Sequence, residues 1–385
     1  MTIAPPEGTR YVLPGEARAR ARIISTLQRL FDSWGYAPVD APALEHYDVD
    51  HPRAAQSFKL SDSGGGVLAL RSDFTPAVAH LVRTGYGAAE VGRFQYCGKV
   101  WQAIEPDLAR TREFTQLGLE LVGISNPKAD AELIHLARES VRSVGLAPRV
   151  EVGHPGFVRV LFDLADIPEG ARDALADAID RKDIRSVREL LKPYPLATDL
   201  RDALLEVADL YGETGVIDRA RQLAPWSETQ AELDDLTAVL AEFEDDSELL
   251  LDLGRARRLS YYTGVTFQAY TFDFGQPLLG GGRYDGALLP YAAGFTVGLE
   301  RLLSALPGVP PAAPPLVLSL DDLPARKLRA AGYAVERALS EDVAAARKYA
   351  AERGIAYLLI EGGLEPLSQE TPYHDELLTL LEAHD

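Results

Sequence analysis

The sequence has little cysteine, since Cys97 is the only one in 385 residues. A single thiol excludes an intrachain disulfide, and it leaves no cysteine-based zinc site. The seven histidines form neither an HExxH motif nor another close pair of ligands. We therefore expect no structural metal and no cofactor.

Long hydrophobic runs are also missing. No stretch of eighteen apolar residues occurs, which argues against a membrane-spanning helix. The first ten residues, MTIAPPEGTR, contain neither the basic nor the apolar segment of a secretory signal. The sequence therefore predicts a cytoplasmic protein with no membrane partner.

Positive charge is scarce. The chain has 39 Lys and Arg against 58 Asp and Glu, a formal net charge of -19. Such a field repels a phosphate polymer unless a local basic groove overcomes it. Nucleic acid is thus an unfavourable partner on charge alone.

The remaining composition is that of a globular protein. Hydrophobic residues make up 46% of the chain and charged residues 25%, enough for one large core and a second, smaller one. The clearest linker is 307–315, where five of nine residues are proline, because proline neither donates into a strand ladder nor continues a helix. We predict a core domain over 1–306, a linker over 307–315 and a small domain over 316–385.

Apolar periodicity and turn residues predict an α+β core in which helices lie on a sheet assembled from distant pieces of chain. The pattern predicts helices over 16–34, 130–144 and much of 169–243. It also predicts a hairpin of strands 58–60 and 67–71 around residues 63–66, and strands 91–100 and 114–122 with a loop between them. Further along the chain it predicts strand 261–274, followed by a glycine cluster at 280–286, and a strand running into a helix over 293–303.

The last 70 residues show a different alternation of short strands and helices. We predict strands over 316–320, 333–337 and 356–360, and helices over 324–331 and 341–353. This order is typical of a small α/β unit with a parallel or mixed sheet.

Common signatures of nucleotide binding and nucleophilic catalysis are absent, including the P-loop, the dinucleotide fingerprint and the nucleophile elbow. Several unusual polar strings stand out instead within the strand-like segments. They are EGTR at 7–10, LRSDFT at 70–75, REFTQLGLE at 112–120, YYTG at 261–264, GGRYDG at 281–286 and GLERL at 298–302.

Together these six strings resemble the histidyl-tRNA synthetase family over about residues 6–305. The resemblance implies a class II aminoacyl-tRNA synthetase-like fold, an antiparallel sheet flanked by helices. It also implies an amino-acid pocket. The residues that match the family's histidine-contacting positions are Asp73, Thr75, Gln116, Glu120, Arg257, Tyr261, Tyr262 and, nearby, Tyr284.

These residue types suit an amino-acid ligand. An amino acid presents an ammonium and a carboxylate, and histidine adds an imidazole with two distinct nitrogens, which acids, amides and tyrosines can satisfy. Gln116 and Glu120 are four residues apart, so both side chains lie on the same face of one strand. Taken alone, the same residues also fit an ordinary solvated sheet face.

The sequence departs from the family at two places. The family's Arg-Gly-Leu-Asp-Tyr-Tyr segment appears as RRLSYY at 257–262, without the glycine and the aspartate. The arginine that grips the α-phosphate of ATP in the family falls on Gln102, and the nearby acidic position falls on Ile104. A neutral glutamine cannot supply the positive charge that amino-acid activation needs.

Other cations remain near this degenerate ATP site. Arg301 matches the family's second ATP arginine, and Arg112 lies in the same region as Gln102. Compensation for the lost arginine by one of these cations is the open alternative, whereas the departures at Gln102 and Ile104 favour a histidine pocket without catalytic residues for activation.

Residues 316–385 resemble a shortened anticodon-binding domain of the same family. They contain seven Lys and Arg against thirteen Asp and Glu, which makes RNA binding through this surface unfavourable and tRNA an unexpected partner. A small solubilising appendage or an oligomer contact fits these residues equally well.

Two hypotheses follow from the resemblance. The first is a non-catalytic paralogue of the synthetases, the regulatory subunit of ATP phosphoribosyltransferase, which partners a short-form catalytic subunit in the first step of histidine biosynthesis and senses histidine as effector. The helix 16–34 and the extended segment 36–45 look like the family's dimer motif, which implies a homodimer within a hetero-oligomer. The second hypothesis is an active histidyl-tRNA synthetase or another amino-acid-activating paralogue. A paralogue with a different partner is a third possibility.

Overall fold

The computed structural model describes residues 4–49, 51, 53–86, 91–106, 111–243, 247–256, 261–308, 313–361, 363–369 and 372–382. The chain divides into two compact units, residues 1–13 with 17–309 and residues 14–16 with 310–385. The predicted linker 307–315 includes residues 309–312, which lie outside the described residues.

The helices in the described part of the chain follow the apolar periodicity. In α1, for example, Ile23, Leu27 and Phe31 recur on one face and are buried. The helices are α1 Pro14–Ser33, α2 Thr75–Leu81, α3 Pro127–Ser143, α4 Pro155–Leu164, α5 Glu169–Asp180, α6 Ile184–Leu191, α7 Thr198–Glu206, α8 Val216–Leu223, α9 Ser227–Leu240, α10 Leu299–Ala305, α11 Asp322–Ala330, α12 Val343–Arg353 and α13 His374–Glu382.

The strands are mostly short, apart from three long ones that build the centre of the main sheet. They are β1 Ala37–Pro38, β2 Leu44–His46, β3 Lys59–Ser61, β4 Val67–Leu70, β5 Gly92–Trp101, β6 Glu113–Val122, β7 Arg149–Gly153, β8 Tyr211–Gly212, β9 Leu249–Asp252, β10 Thr266–Thr271, β11 Phe274–Arg283, β12 Ala292–Gly298, β13 Val317–Ser319, β14 Val335–Arg337, β15 Tyr357–Ile360 and β16 Gly363–Pro366.

The main sheet has the strand order β1-β5-β6-β12-β11-β10-β7-β9-β8. Neighbours from β5 to β7 in this order are antiparallel, whereas β1 joins β5 and β9 joins β7 in parallel. The predicted antiparallel sheet flanked by helices is therefore confirmed, with parallel additions near both edges. The predicted hairpin is also confirmed, since β3 pairs antiparallel with β4 in a separate sheet that includes β2.

One detail of the strand prediction is wrong. The predicted strand 261–274 is shorter, with β10 running from Thr266 to Thr271, and Tyr261 and Tyr262 lie outside any strand before it. The glycines at 280–282 lie within β11. A side chain at position 281 would clash with the neighbouring strand, because a Cβ there would lie only 2.1 Å from the carbonyl oxygen of Gly294.

The second unit contains a four-stranded sheet in the order β14-β13-β15-β16. The first three strands are parallel and β16 is antiparallel to β15. The predicted small α/β unit with a mixed sheet is thus confirmed, and β16 and α13 add to the predicted elements. Within the described residues, no helix is long and apolar enough to cross a membrane.

Candidate functional site

Strand β6 separates the hydrophobic core from a polar cavity. Leu117, Leu119 and Leu121 point into the main core, where they are almost fully buried. Gln116 and Glu120 alternate with them, and both line the cavity. The period of two along a strand therefore places the two polar residues together, as their spacing predicts.

Glu120 lies at the buried end of this cavity and is only 1% exposed. Its carboxylate accepts hydrogen bonds from Thr75 Oγ1 at 2.6 Å, from Tyr96 Oη at 3.4 Å and from the hydroxyl of Tyr284. Burial raises the pKa of Glu120 to about 8, although the hydroxyl donors favour the charged form. A buried acid near neutrality is suited to exchange a proton with an imidazole or to pair with a cationic ligand.

Asp73 and Gln116 form a second polar group beside Glu120. Gln116 Nε2 donates to Asp73 Oδ1 at 3.2 Å, while Gln116 Oε1 accepts from the backbone N–H of Phe74 at 3.2 Å. Asp73 Oδ1 also accepts from the backbone N–H of Thr75 at 3.3 Å. These bonds fix the carboxylate orientation at the start of α2.

Three tyrosines form one wall of the cavity. The Tyr261 ring stacks on Tyr284 with centroids 5.4 Å apart, and it meets Tyr262 edge-on at 5.0 Å. Burial is the main cause that raises the pKa of Tyr261 and Tyr284. Both rings therefore stay neutral hydroxyl donors, which suits a flat polar ligand.

The space beside Glu120 depends on two glycines that the sequence did not single out. A Cβ on Gly118 would lie 2.3 Å from Tyr96 Oη, and one on Gly294 would lie 2.2 Å from Glu120 Oε2. Gly118 belongs to β6 and Gly294 to the neighbouring strand β12. In this antiparallel pair, Gly294 lies directly opposite Glu120. A side chain at either position would displace the groups that form the cavity.

Not all of the GGRYDG string belongs to the cavity. Arg283 is 5% exposed and pairs with Asp130 of α3 at 2.7 Å and with Asp285 at 2.9 Å. Asp285 also accepts from the backbone N–H of Ala292 at 2.8 Å. Arg283 and Asp285 thus join β11 to α3, and only Tyr284 of this string presents its side chain to the ligand space.

Three of the four residues predicted for the degenerate ATP site line the cavity, and Arg112 does not. Gln102 and Ile104 line the cavity, but Gln102 Nε2 is held by the backbone oxygen of Ser72 at 3.1 Å. Arg301 also lines the cavity and donates to the backbone oxygen of Pro277 at 2.9 Å. Arg112 does not line it, because Arg112 Nε donates to the Ile104 carbonyl at 2.8 Å.

The cavity has a volume of about 570 Å³. It collects seven of the eight residues predicted for the histidine site, and the eighth, Arg257, lies outside the described residues. Seven further polar residues line the cavity and were not predicted from the sequence. They are His51, Arg53, Gln56, Thr111, Gln268, Thr296 and Glu300. No described group of three or more His, Cys, Asp or Glu residues could hold a metal ion.

The raised pKa of Glu120 predicts a pH-dependent stability. Between the ordinary glutamate value of 4.5 and about 8, the folded protein keeps a proton that the unfolded chain has lost. The stabilisation is complete below pH 4.5 and is lost as the pH rises through 8. We expect the difference in free energy of unfolding between the natural protein and Glu120→Gln to fall by about 4 kcal/mol from pH 5 to 9 in urea titrations. Parallel pH profiles for the two proteins would contradict this assignment.

Comparison with known proteins identifies the family of this chain. A family model described as histidyl-tRNA synthetase matches residues 8–302. The chain is 46% identical over 354 residues to the ATP phosphoribosyltransferase regulatory subunit of Thermus thermophilus, covering 92% of this chain and 96% of the relative. The chain belongs to the ATP phosphoribosyltransferase regulatory subunit family. The Deinococcus radiodurans member of this regulatory subunit family is 43% identical, with 92% of this chain and 88% of the relative covered.

Solved structures show the same fold. A Bacillus halodurans protein described as an ATP phosphoribosyltransferase regulatory subunit/histidyl-tRNA synthetase aligns with a TM-score of 0.79 at 30% identity, covering 91% of this chain and 97% of the other. The histidyl-tRNA synthetase of Nostoc sp. PCC 7120 aligns with a TM-score of 0.77 at 20% identity, covering 94% and 91%. The class II synthetase-like fold of this regulatory subunit family member is therefore shown.

Proposed function

We propose that this chain is the non-catalytic regulatory subunit that a short-form ATP phosphoribosyltransferase catalytic subunit requires in the first step of histidine biosynthesis. The relatives with this name cover most of the chain, which supports the role. The observation that carries the proposal is a cavity in which seven of the residues predicted for a histidine site meet around Glu120, with a neutral amide at Gln102 in place of the family's phosphate-binding arginine. The complex works in the cytoplasm, as a homodimer of this chain within a hetero-oligomer.

The same cavity supports histidine as the effector. Glu120, Tyr284 and Tyr262 offer a buried acid and aromatic hydroxyls to an imidazole, while Asp73 and Gln116 offer acceptors to an ammonium. A ligand that fits one state of the complex better than another shifts the equilibrium by its differential affinity. We expect a coupling of about 1 to 3 kcal/mol, or roughly 5- to 150-fold in affinity.

The test is phosphoribosyl transfer to ATP by a short-form catalytic subunit from the same source, measured with and without this chain while histidine is titrated. We expect the chain to raise the rate and histidine to reverse that increase. An unchanged rate together with no complex in gel filtration would contradict the regulatory role. An increased rate that histidine leaves unchanged would retain the regulatory role and remove histidine sensing.

An active synthetase is the competing function. Amino-acid activation requires preorganised positive charge on the phosphates of ATP, and Gln102 offers a neutral amide that is already bonded to Ser72. Histidine-dependent exchange between ATP and pyrophosphate by the purified chain would favour the synthetase. We expect no exchange above the background without enzyme.

A further inference from the structure

His51, in the segment before β3, lines the cavity, and a backbone hydrogen bond fixes the tautomer of its imidazole. His51 Nδ1 accepts the backbone N–H of Arg53 at 3.0 Å. A neutral imidazole has one donor nitrogen and one acceptor nitrogen, so this bond places the proton on Nε2. The pKa of His51 is lowered, mainly by burial. The ring is therefore neutral at neutral pH. His51 therefore offers a single N–H donor from its far side.

That donor has no acceptor in the described part of the protein. His51 Nε2 is buried and lacks a hydrogen-bond partner there, although His51 lines the cavity. A buried donor without a partner is unfavourable, and such groups in native proteins commonly serve a ligand. The N–H of His51 is thus available for an acceptor atom in the cavity.

Arg53 lies two residues further along the same segment. Its Nε donates to Asp73 Oδ2 at 3.1 Å, and its side chain is 39% exposed and lines the cavity. The pair with Asp73 holds the guanidinium beside the polar group of Asp73 and Gln116. A guanidinium has five donors in a planar fork, which matches the two oxygens of a carboxylate.

The other charged groups that line the cavity are differently engaged. Glu300 accepts from Arg20 at 2.9 Å, and Arg301 donates to the Pro277 carbonyl. Asp73 and Glu120 are acidic and favour a cationic part of the ligand. A doubly charged phosphate beside Asp73 would be repelled, whereas a singly charged carboxylate needs only one cation and one neutral donor.

We propose that His51 and Arg53 bind the α-carboxylate of the amino-acid ligand, through Nε2 of His51 and the guanidinium of Arg53. This inference rests on the proposed histidine site. It gives the ligand a direction, with the carboxylate toward the segment before β3 and the imidazole toward Glu120.

Two sets of variants separate donor chemistry from structure. In His51→Asn, the amide oxygen replaces the Nδ1 acceptor and the Nε2 donor is lost. In His51→Gln, the longer side chain returns an amide donor near the place of Nε2. Arg53→Gln removes the proposed cation, and Arg301→Gln removes the competing guanidinium of the cavity. Arg29→Gln, at an exposed position of α1 outside the cavity, is the control for the loss of one positive charge.

The measurement is calorimetric titration of each full-length variant with L-histidine and with L-histidinol, which carries a hydroxymethyl group in place of the carboxylate. We expect His51→Asn and Arg53→Gln each to weaken L-histidine binding about tenfold or more and to change L-histidinol binding less than twofold. His51→Gln and Arg29→Gln should retain L-histidine binding within about threefold, and Arg301→Gln should weaken it less than Arg53→Gln does.

The other outcomes each overturn a defined statement. Equal losses for L-histidine and L-histidinol would mean that His51 and Arg53 only maintain the cavity, and the histidine site would stand without this inference. A selective loss of L-histidine binding in Arg301→Gln alone would assign the carboxylate to Arg301 instead. Absence of L-histidine binding to the natural protein would overturn both the proposed histidine site and the inference.

Discussion

In the Glu120→Gln variant, we expect the affinity for L-histidine to fall about 100-fold, a loss of about 2.8 kcal/mol. The carboxylate of Glu120 is nearly fully buried and bonded to Thr75 and Tyr284. A glutamine keeps the size of the side chain but can neither carry a negative charge nor exchange a proton. A buried charge-assisted hydrogen bond to the ligand is therefore lost. Such a loss typically costs about 2 kcal/mol or more, which agrees with the expected decrease in affinity.

Glu113→Gln is the matched control, because Glu113 begins the same strand and pairs with Lys99 and Trp101 outside the cavity. Its L-histidine affinity should stay within about twofold of the natural protein in isothermal titration. Stimulation of the catalytic subunit by Glu120→Gln should persist, while its inhibition by histidine disappears. Unchanged histidine affinity in Glu120→Gln would contradict the placement of the ligand beside this carboxylate.

The Gly281→Ala variant should lose about 3 kcal/mol or more of its free energy of unfolding. A Cβ at this position would lie 2.1 Å from the Gly294 carbonyl oxygen and 2.4 Å from Phe295 Cβ. Both contacts involve the paired strand β12 rather than the end of a flexible side chain, so β11 and β12 must separate at the centre of the sheet. Urea unfolding followed by circular dichroism gives the measurement.

Gly275→Ala tests whether any added methyl group in β11 is harmful. Gly275 belongs to the same strand, and a Cβ there would meet no atom of the described structure within 4 Å. We expect its free energy of unfolding to stay within about 0.5 kcal/mol of the natural protein, or to rise slightly because alanine restricts the unfolded chain. Equal stability of the Gly281→Ala and Gly275→Ala proteins would show that strand spacing does not require Gly281.

Much of the site could be predicted from the sequence because it lies on regular elements. Gln116 and Glu120 alternate with the core leucines of β6, so the period of the strand alone puts them on one face. Asp73 and Thr75 follow from a polar string at the start of α2. The roles that the resemblance gives these residues remain predictions until ligand binding is measured.

Other site residues could not be predicted because no local period governs them. His51 and Arg53 lie in an irregular segment, and only the tertiary structure brings them to Asp73. Arg112 belongs to a matching string, yet its guanidinium turns to the Ile104 carbonyl and away from the cavity. Gly294 matters only because Glu120 of another strand occupies the space beside it.

Residue order along the chain is enough to predict the α+β class, the core faces of α1 and β6, the absence of a disulfide and the loss of arginine at position 102. These properties depend on residue identity and on short periods along the chain. Three features are visible only in the folded protein. They are the set of polar residues that share the cavity, the ion pair of Arg283 with Asp130 of α3, and the close approach of β11 and β12 that Gly281 permits. Those properties depend on contacts between residues far apart in sequence, which packing of the complete sheet and its helices brings together.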